Sequence, residues 1–338
     1  MPKKWIVVTT INPPGNAIDK ISGLCANGWS AVVVGDTKTP QNWSAPNISF
    51  LSVSDQKDLF GKIAELIPYS HYCRKNLGYI YAICQGADVV LETDDDNIPY
   101  STFGESLDIT VNGYIVRRHG WVNIYKYFTD VPIWPRGLPL TKISSAPVLS
   151  ETLVERRCPI QQYLADNDPD VDAIYRLVLN APVFFQRRAP IIAGENTWVP
   201  FNSQNTAFFQ EVFPLLYLPC HVSFRTTDIW RSFVAQAAIW NHKGALAFHS
   251  ATVEQSRNEH DLMRDFSDEV PGYLGNERLV AALNDERLKL TSRHIPIADT
   301  AFELWRRLAD EHIISSKELQ LLEAWMSYIQ STPAGIAQ

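Results

Sequence analysis

The stretch ADVVLETDDDNIP, residues 87–99, joins a short strand-like run to a cluster of acidic residues. Ala87–Leu91 is short and largely apolar, as in strands that a parallel sheet buries on both faces. Three consecutive aspartates, Asp94, Asp95 and Asp96, follow it closely. Adjacent carboxylates repel one another, and a hard divalent cation such as Mg²⁺ or Mn²⁺ relieves that repulsion while keeping coordination sites for phosphate. A solvated acidic turn is the alternative, and the preceding strand favours a metal site.

The first hundred residues alternate between strand-like and helix-like segments. Trp5–Thr9 and Ala31–Val34 are compact apolar runs typical of strands. Apolar residues three and four positions apart predict helices at Ala17–Ala26, Asp58–Ile67 and Lys75–Gln85. Short strands separated by helices predict a mostly parallel sheet covered on both faces, in which ligands bind beyond the carboxyl ends of the strands.

The later chain shows a different pattern. Prolines are dense between residues 100 and 225, which disfavours long helices and central strands. We expect loops, short strands and the acceptor side of a cleft there. A helix is predicted for Thr227–Trp240, with Thr226 or Thr227 as its N-cap, and a strand for Ala245–His249. Residues 276–330 have the spacing of helices.

These patterns predict an α/β fold with a mostly parallel central sheet flanked by helices. We expect an α/β domain over residues 1–275, with a nucleotide-binding half (1–100) and a sugar and acceptor half (101–275). Residues 276–338 would form a helical C-terminal extension. Its apolar side chains at helical spacing predict either core or an interface in a homo-oligomer. These side chains are Trp305, Leu308, Leu321, Leu322, Trp325 and Ile329.

Composition narrows the class of protein. The 338 residues include 30 Lys and Arg and 37 Asp and Glu, a net charge of −7, which argues against binding nucleic acid or an anionic membrane through bulk charge. The five cysteines are scattered and none is spaced as CxxC, which argues against a disulfide framework or structural zinc. No apolar run approaches the roughly 20 residues needed to span a bilayer. We expect a cytoplasmic protein with no stable membrane insertion.

Polar residues at the ends of the first two predicted strands are candidates for holding a nucleotide. These are Thr9, Thr10, Asn12, Gly35 and Asp36. Simple β propensity explains the threonines equally well, and a turn explains Gly35 and Asp36. Arg74 and Lys75 open the helix before the acidic strand, so they can offer positive charge to a diphosphate. A solvated basic helix start is the alternative for this pair.

A second set of candidates could bind sugar hydroxyls. Asp170 and Asp172 lie in the acidic segment DNDPDVDA, residues 166–173, and carboxylates accept hydrogen bonds from vicinal hydroxyls. An Asp-rich turn is the alternative. The segment FNSQNT contributes the amides of Asn202, Gln204 and Asn205 between apolar flanks. Half-buried amides need partners, so they could bind a ligand or brace a loop from within.

Ordered blocks of sequence resemble the STELLO family of glycosyltransferase-like proteins. They are RKNLGYIYAICQGADVVLETDDD (Arg74–Asp96), VPFNSQNTAFF (Val199–Phe209), DIWRS (Asp228–Ser232) and HDL (His260–Leu262). A more distant resemblance is to the reversibly glycosylated polypeptides that act as UDP-arabinopyranose mutases. Its blocks are VVVGDTKTP (Val32–Pro40), DDDN (Asp94–Asn97), DPDVDA (Asp168–Ala173) and TDIW (Thr227–Trp230). We take the resemblance to extend over about residues 5 to 265.

The resemblance implies a GT-A fold and a nucleotide-sugar donor, with Mn²⁺ or Mg²⁺ at Asp94 and Asp96 and with Asp95 near the donor sugar. The STELLO pattern has an acidic residue where Glu92 stands and lacks the third aspartate, so the pair of carboxylates that binds metal stays open. The mutases are glycosylated on an arginine. Arg156 or Arg157 lies in the corresponding interval, but the surrounding residues do not match and we assign neither that role.

A GT-A fold suggests roles for three later residues, although the STELLO pattern does not keep the third, His249. Asp228 at a helix start is the candidate general base that deprotonates the acceptor hydroxyl. A carboxylate that merely stabilises the helix dipole is the alternative. Arg231, one turn further on, could neutralise the leaving diphosphate or pair with Asp228. His249 ends a late strand, where GT-A enzymes often supply a further metal ligand, although a structural histidine is the alternative.

We therefore predict a metal-dependent glycosyltransferase. It would move a sugar from a nucleoside diphosphate donor, expected to be a UDP-sugar, to a hydroxyl of a glycan or lipid-linked acceptor. Two alternatives stay open. One is a nucleotide-sugar mutase that interconverts ring forms, and the other is a non-catalytic partner protein that has kept the donor-binding fold. The stereochemical outcome of the transfer also stays open.

Overall fold

The computed structural model describes residues 2–105, 107–258 and 261–331. Its strands are β1 Lys4–Thr10, β2 Ser30–Gly35, β3 Ser49–Leu51, β4 Val89–Thr93, β5 Asn97–Pro99, β6 Thr110–Ile115, β7 Gly120–Trp121, β8 Val154–Arg157, β9 Ile160–Asp166, β10 Ile191–Ala193, β11 Thr197–Trp198, β12 Asn205–Phe209 and β13 Leu246–Gln255. Its α-helices are α1 Asn16–Cys25, α2 Val53–Phe60, α3 Lys62–Leu66, α4 Lys75–Cys84, α5 Tyr125–Phe128, α6 Ala173–Val178, α7 Thr227–Asn241, α8 Leu262–Leu290, α9 Ile297–Asp310 and α10 Glu318–Ser331.

One large mixed sheet organises the described residues, with strand order β3–β2–β1–β4–β12–β9–β13–β10–β6–β8 and with β5 paired to the end of β13. The four strands of the first hundred residues on this path, β3, β2, β1 and β4, run parallel. Strand β12 is antiparallel to both β4 and β9, and it joins the parallel part to the later strands. The predicted α/β class and the parallel sheet over the first hundred residues are confirmed.

The register of the parallel strands brings their polar ends together. Thr10 lies opposite Gly35 in the β1–β2 pair, and Val7 lies opposite Glu92 in the β1–β4 pair. If the β1–β4 pairing is extended three residues beyond Val7 and Glu92, Thr10 lies opposite Asp95. Because parallel strands end at the same edge of a sheet, the polar residues that follow β1, β2 and β4 meet there.

Helix α4 packs unusually close to the sheet because Gly78 faces β1 and β2. A Cβ atom at this position would come within 2.6 Å of Val7 Cγ1 and 2.8 Å of Val34 Cγ2. Real side chains do not tolerate that separation, so a larger residue would push the helix away from the sheet. This close contact fixes the start of α4, where Arg74 and Lys75 lie.

The C-terminal helices share the core of the sheet. Leu283, Trp305 and Trp325 are buried in the same apolar cluster as side chains of β1 and β2. The predicted helical character is confirmed for the described residues up to Ser331, and the apolar side chains named for this region are buried within the chain. Helix α8, Leu262–Leu290, runs continuously through the predicted domain boundary at residue 275. Within the described part of the chain, no helix is both long and apolar enough to cross a bilayer.

Candidate active site

A cleft of about 580 Å³ opens at the edge of the sheet where β1, β2 and β4 end. Most of the predicted site residues line it: Thr9, Thr10, Asn12, Gly35, Asp36, Arg74, Asp94, Asp95, Asp96, Asp170, Gln204 and Asp228. Six others do not line it: Lys75, Asp172, Asn202, Asn205, Arg231 and His249. The aspartates separate a wall formed by the ends of β1 and β2 from a wall that carries Asp170 and Asp228.

Asp95 is oriented by the residues at the end of β1. The hydroxyl of Thr10 donates to Asp95 Oδ2, and the side-chain amide of Asn12 donates to the same oxygen at 3.1 Å. The indole of Trp43 in turn donates to the carbonyl of Asn12 at 3.1 Å, which anchors this loop. Thr10 and Asn12 were predicted to contact the nucleotide. In the structure they hold the central aspartate and also face the cleft.

Asp94 is paired with a buried cation. The Lys75 ammonium donates to Asp94 Oδ1 at 2.9 Å, to the Tyr72 oxygen at 2.6 Å and to the Thr93 carbonyl at 2.8 Å. Tyr72 donates to the same carboxylate oxygen at 2.7 Å. Burial raises the pKa of Asp94, and Lys75 opposes that shift. Lys75 is fully enclosed and does not reach the cleft, so its predicted contact with a diphosphate is corrected to neutralisation of Asp94 from behind.

Asp96 keeps one carboxylate oxygen without a hydrogen-bond donor. Its Oδ2 accepts from Gln255 Nε2 at 3.2 Å and Asn258 Nδ2 at 3.4 Å, whereas its buried Oδ1 has no partner among the described residues. Burial, together with the charges of Asp94 and Asp95, raises the pKa of Asp96 to about 7. A desolvated oxygen with an open lone pair beside two other carboxylates fits a divalent cation.

The protein does not enclose such a cation by itself. Among residues 2–105, 107–258 and 261–331, no group of three or more His, Cys, Asp or Glu side chains is arranged to hold a metal ion. Magnesium is commonly bound through one or two carboxylates, with substrate phosphates and water completing the shell. The donor set at Asp94 and Asp96 matches that kind of site, in which the ligand supplies the remaining oxygens.

The opposite side of the cleft mouth presents polar groups at the end of β2. Asp36 accepts backbone N–H groups from Thr37 at 2.6 Å and Ser70 at 2.7 Å, which fixes the loop around it. Arg74 is buried and donates to Gln56 and to the Ile67 carbonyl at 2.9 Å. No carboxylate of the described chain forms an ion pair with it, and burial lowers its pKa. Because none of the described carboxylates neutralises it, the Arg74 charge favours an anionic ligand in the adjoining cleft even though its guanidinium is bonded within the protein.

Arg136 bridges two carboxylates on the far wall. Its guanidinium donates to Asp170 at 2.8 and 2.7 Å and to Asp228 at 3.0 and 2.9 Å. Asp228 is placed in the first turn of α7, as predicted, and also accepts from the Ser203 backbone N–H at 3.2 Å. Burial alone raises the pKa of Asp228, but the ion pair with Arg136 outweighs burial and holds that pKa well below its usual range.

A chain of polar contacts links the two sides of the aspartate cluster. The Ser203 hydroxyl lies 2.7 Å from the Tyr72 oxygen and 3.1 Å from Asp228 Oδ2. Tyr72 connects in turn to Asp94 and Lys75. Burial raises the pKa of Tyr72 well above its usual range, so the hydroxyl stays protonated as a donor. The candidate base and the candidate metal site are therefore positioned by one network.

Arg231 was predicted at the diphosphate or beside Asp228, and the structure places it elsewhere. It forms a buried bidentate ion pair with Glu92, with contacts of 2.6 and 2.9 Å, and Tyr79 also donates to Glu92. Both partners are essentially inaccessible to solvent. The predicted contact of Arg231 with a substrate is therefore not supported, and Glu92 is occupied by this pair rather than being available to a metal.

Three of the predicted sugar ligands are structural. Asp172 is the N-cap of α6, where it accepts from Tyr175 N at 2.8 Å and from the Trp134 indole at 2.6 Å. Burial raises its pKa to about 6. Asn202 accepts from Gln162 at 2.7 Å, and Asn205 donates to Thr252 at 2.9 Å. Asn202 braces the loop before β12, and Asn205 ties the start of β12 to β13. Internal bracing is the alternative left open by the sequence, because buried amides must find internal partners.

His249 does not reach the aspartates. It stacks on Tyr163 with ring centroids 4.5 Å apart, and burial lowers its pKa to about 4. Strand β13 continues to Gln255, so His249 lies six residues before the strand end, a distance of about 20 Å along an extended strand. The prediction of a metal ligand is not supported. His260, in the HDL block, lies outside the described residues.

Several cleft residues were not identified from the sequence. They are Tyr72, Arg136, Ser203, Arg225, Gln255 and Arg257. Tyr72 stands two residues before Arg74, so its position offered a signal. Gln255 ends β13, but the predicted strand stopped at His249 and gave no signal for it. Arg136 lies in a proline-rich segment where no periodicity marks it.

In the structure an acidic strand end lies between a wall formed by the ends of β1 and β2 and a wall that carries Asp170 and Asp228. Comparison with known proteins shows which proteins this chain resembles. The family model for STELLO glycosyltransferases matches residues 225–333. The chain is also similar over 96% of its length to two Arabidopsis thaliana proteins, probable glycosyltransferase STELLO2 (28% identical) and probable glycosyltransferase STELLO1 (27% identical).

These findings confirm the predicted resemblance to the STELLO glycosyltransferases. The match covers 44% of each relative, so the chain spans less than half the length of these proteins. Among solved structures, Mycobacterium tuberculosis glucosyl-3-phosphoglycerate synthase in complex with Mn²⁺, UDP and glucosyl-3-phosphoglycerate aligns over 85% of this chain and 80% of that one, with 12% identity and a TM-score of 0.42. Another structure of that synthase gives a TM-score of 0.39 at 11% identity. Both scores describe a distant likeness.

Proposed function

We propose that the protein is a metal-dependent glycosyltransferase that moves a sugar from a nucleoside diphosphate donor, UDP-linked by preference, to a hydroxyl group of a glycan or lipid-linked acceptor. One observation carries the proposal. Asp94, Asp95 and Asp96 lie in the cleft between polar groups suited to a nucleotide and a wall of ionised groups suited to a reacting hydroxyl. The similarity to STELLO proteins supports the same reaction class.

The donor would lie with its nucleoside against the ends of β1 and β2, near Thr9, Gly35 and Asp36. Arg74 would supply positive charge from that side. Asp96, through its open Oδ1, and Asp94 would hold Mn²⁺ or Mg²⁺ together with diphosphate oxygens. When bound, the metal screens the diphosphate charge and stabilises the leaving nucleoside diphosphate. Asp95, oriented by Thr10 and Asn12, faces the donor sugar.

The acceptor wall would supply the base. Asp228 carries a negative charge at neutral pH and is rigidly held by Arg136 and Ser203. The acceptor oxygen attacks the anomeric carbon, the bond from that carbon to the diphosphate oxygen breaks, and the acceptor proton passes to Asp228. Because the ion pair with Arg136 lowers the proton affinity of Asp228, proton transfer would occur late, after the attacking oxygen has lost electron density. Asp170 and Gln204 would contact sugar hydroxyls.

Calorimetric titration of UDP into the full chain, with and without Mn²⁺, tests donor binding. We expect saturable binding that requires the metal and weakens at least about 10-fold in Asp96→Asn, since one coordinating carboxylate is lost. Asp285→Asn alters an exposed carboxylate on α8 and serves as the matched control with unchanged affinity. Absence of metal-dependent UDP binding in the unmodified protein would favour the non-catalytic partner and reject the proposal.

A second assay separates transfer from ring isomerisation. Incubation with a UDP-sugar and Mn²⁺ without acceptor should give slow release of UDP, whereas a mutase would produce a ring isomer of the intact UDP-sugar. The structure adds nothing in favour of a mutase. Arg156 and Arg157 lie on β8 at the far edge of the sheet, and Arg157 is paired with Glu211.

A further inference from the structure

Two arginines line the acceptor end of the cleft on separate segments. Arg225 lies in the short 3₁₀ turn Phe224–Thr226, directly before α7, and Arg257 lies in the segment after β13. Both side chains are largely but not completely buried, and both face the cleft. Neither has a role in the donor site described above.

The carboxylates that balance these arginines lie behind them. Arg225 pairs with Glu269 at 2.8 Å, and Arg257 pairs with Asp265 at 3.0 Å. Both acids belong to α8, and neither lines the cleft. Arg136 is different, because both of its carboxylate partners line the cleft with it. The surface that the ligand meets at Arg225 and Arg257 is therefore positive, in contrast to the aspartate cluster nearby.

The hydrogen-bonding capacity of Arg257 is incomplete. Its Nε is buried and has no acceptor among the residues that the structure describes. Burial and the neighbouring charges of Arg176 and Arg225 lower the pKa of Arg257 to about 10. Like charges gathered in a desolvated place are stabilised by an anion between them, and guanidinium groups match the geometry of phosphate and carboxylate.

The arginines lie on the two segments that hold the candidate metal site and the candidate base. Arg257 stands between Gln255 and Asn258, which both donate to Asp96, and Arg225 precedes Asp228 by three residues. Asp36 and Arg74, assigned above to the nucleotide, lie on different segments, after β2 and at the start of α4. We propose, on the basis of the proposed function, that the acceptor carries a phosphate or carboxylate group that Arg225 and Arg257 bind.

Inorganic phosphate is the probe for this site. The thermal stability of the full chain is measured as phosphate is titrated at constant ionic strength, with and without saturating UDP and Mg²⁺. We expect the melting temperature to rise with phosphate and to reach saturation, with or without bound UDP. The apparent Kd for phosphate should be at least about 10-fold higher in Arg257→Gln. Arg257→Lys keeps the charge towards Asp265 and should lose less affinity. Arg264→Gln, at a side chain 81% exposed on α8, is the control with unchanged affinity.

The arms of the experiment separate the possible sources of the anion. Phosphate binding that UDP abolishes would show that the arginines serve the donor diphosphate, and this overturns the inference. The inference is also overturned if phosphate raises the melting temperature no more than chloride does at the same ionic strength. It is overturned as well if the effect of phosphate is unchanged in both Arg257 variants. UDP binding is measured independently by calorimetry. If UDP binds and phosphate does not, only the present inference fails. If UDP does not bind, the proposed function fails and the acceptor assignment fails with it.

Discussion

Replacing Arg136 with glutamine removes the cation shared by Asp170 and Asp228. Four hydrogen bonds of 2.7 to 3.0 Å are lost, and the carboxylate side chains are only 10% and 7% exposed. Removing one partner from a buried ion pair costs about 3–5 kcal/mol, because the remaining charge is left without compensation. We expect Arg136→Gln to lose that much free energy of unfolding at pH 7.5, measured by urea denaturation.

The loss should depend on pH in a defined direction. In the unmodified protein Asp228 has a lowered pKa, so its stabilising contribution is complete above the unfolded pKa of about 4 and is lost only below it. In the variant, burial without Arg136 raises the pKa of Asp228. As pH is lowered from 7.5 to 5, folded Arg136→Gln therefore takes up a proton that the folded unmodified protein does not. The difference in free energy of unfolding between the two proteins then becomes smaller.

Arg157→Gln is the matched control. Arg157 also pairs with a carboxylate, that of Glu211, but its side chain is 55% exposed. Exposed ion pairs contribute about 0–1 kcal/mol, so this variant should remain close to the unmodified protein at both pH values. Equal losses in the two variants, or a loss below about 1 kcal/mol in Arg136→Gln, would refute the assignment of Arg136 as the cation that holds the acceptor wall together.

Three further predictions follow from single contacts. Tyr72→Phe removes the hydroxyl between Asp94 and Ser203. This variant should lower kcat/KM for UDP release about 10-fold, with a smaller effect on UDP affinity. UDP affinity and activity equal to those of the unmodified protein would contradict the network. Arg231→Met leaves Glu92 buried and should cost about 3–5 kcal/mol in urea unfolding, with less lost when Glu92 is also replaced by leucine; additive losses would argue against the pair. Burial holds the pKa of His249 at about 4, so the free energy of unfolding should fall as pH drops from 6.5 towards 4. His249→Phe keeps the stacked ring and should flatten that fall. Mn²⁺-dependent UDP binding should not change in this variant.

The features that the sequence predicts well are local ones. The apolar run before Asp94 and the helical spacing after Lys75 depend on neighbouring residues. The helix forms within one residue of the expected bounds, and the strand forms at Val89–Thr93, two residues later than Ala87–Leu91. The end of β13 was misjudged because Ser250 interrupts the apolar run and the register shifts between His249 and Val253. The residue that reaches the aspartates from this strand is consequently Gln255.

The pairings that complete the site depend on contacts between distant parts of the chain. Arg231 and Glu92 are 139 positions apart, and no spacing rule indicates that they meet across α7 and β4. The contacts of Arg136 also join distant parts of the chain, because its partners come from the loop after β9 and from the first turn of α7. Sequence pattern identifies charged residues as candidates, whereas only the fold decides which of them neutralise each other and which remain for a ligand.

The central claim is that the aspartate cluster holds a cation together with a diphosphate. A crystal structure of the protein with UDP and Mn²⁺, recorded at a wavelength where manganese scatters anomalously, measures this directly. We expect an anomalous peak bonded to Asp96 and to diphosphate oxygens, with the uridine extending towards Asp36. UDP bound without manganese at the aspartates, or an anomalous peak remote from Asp94–Asp96, would contradict the account.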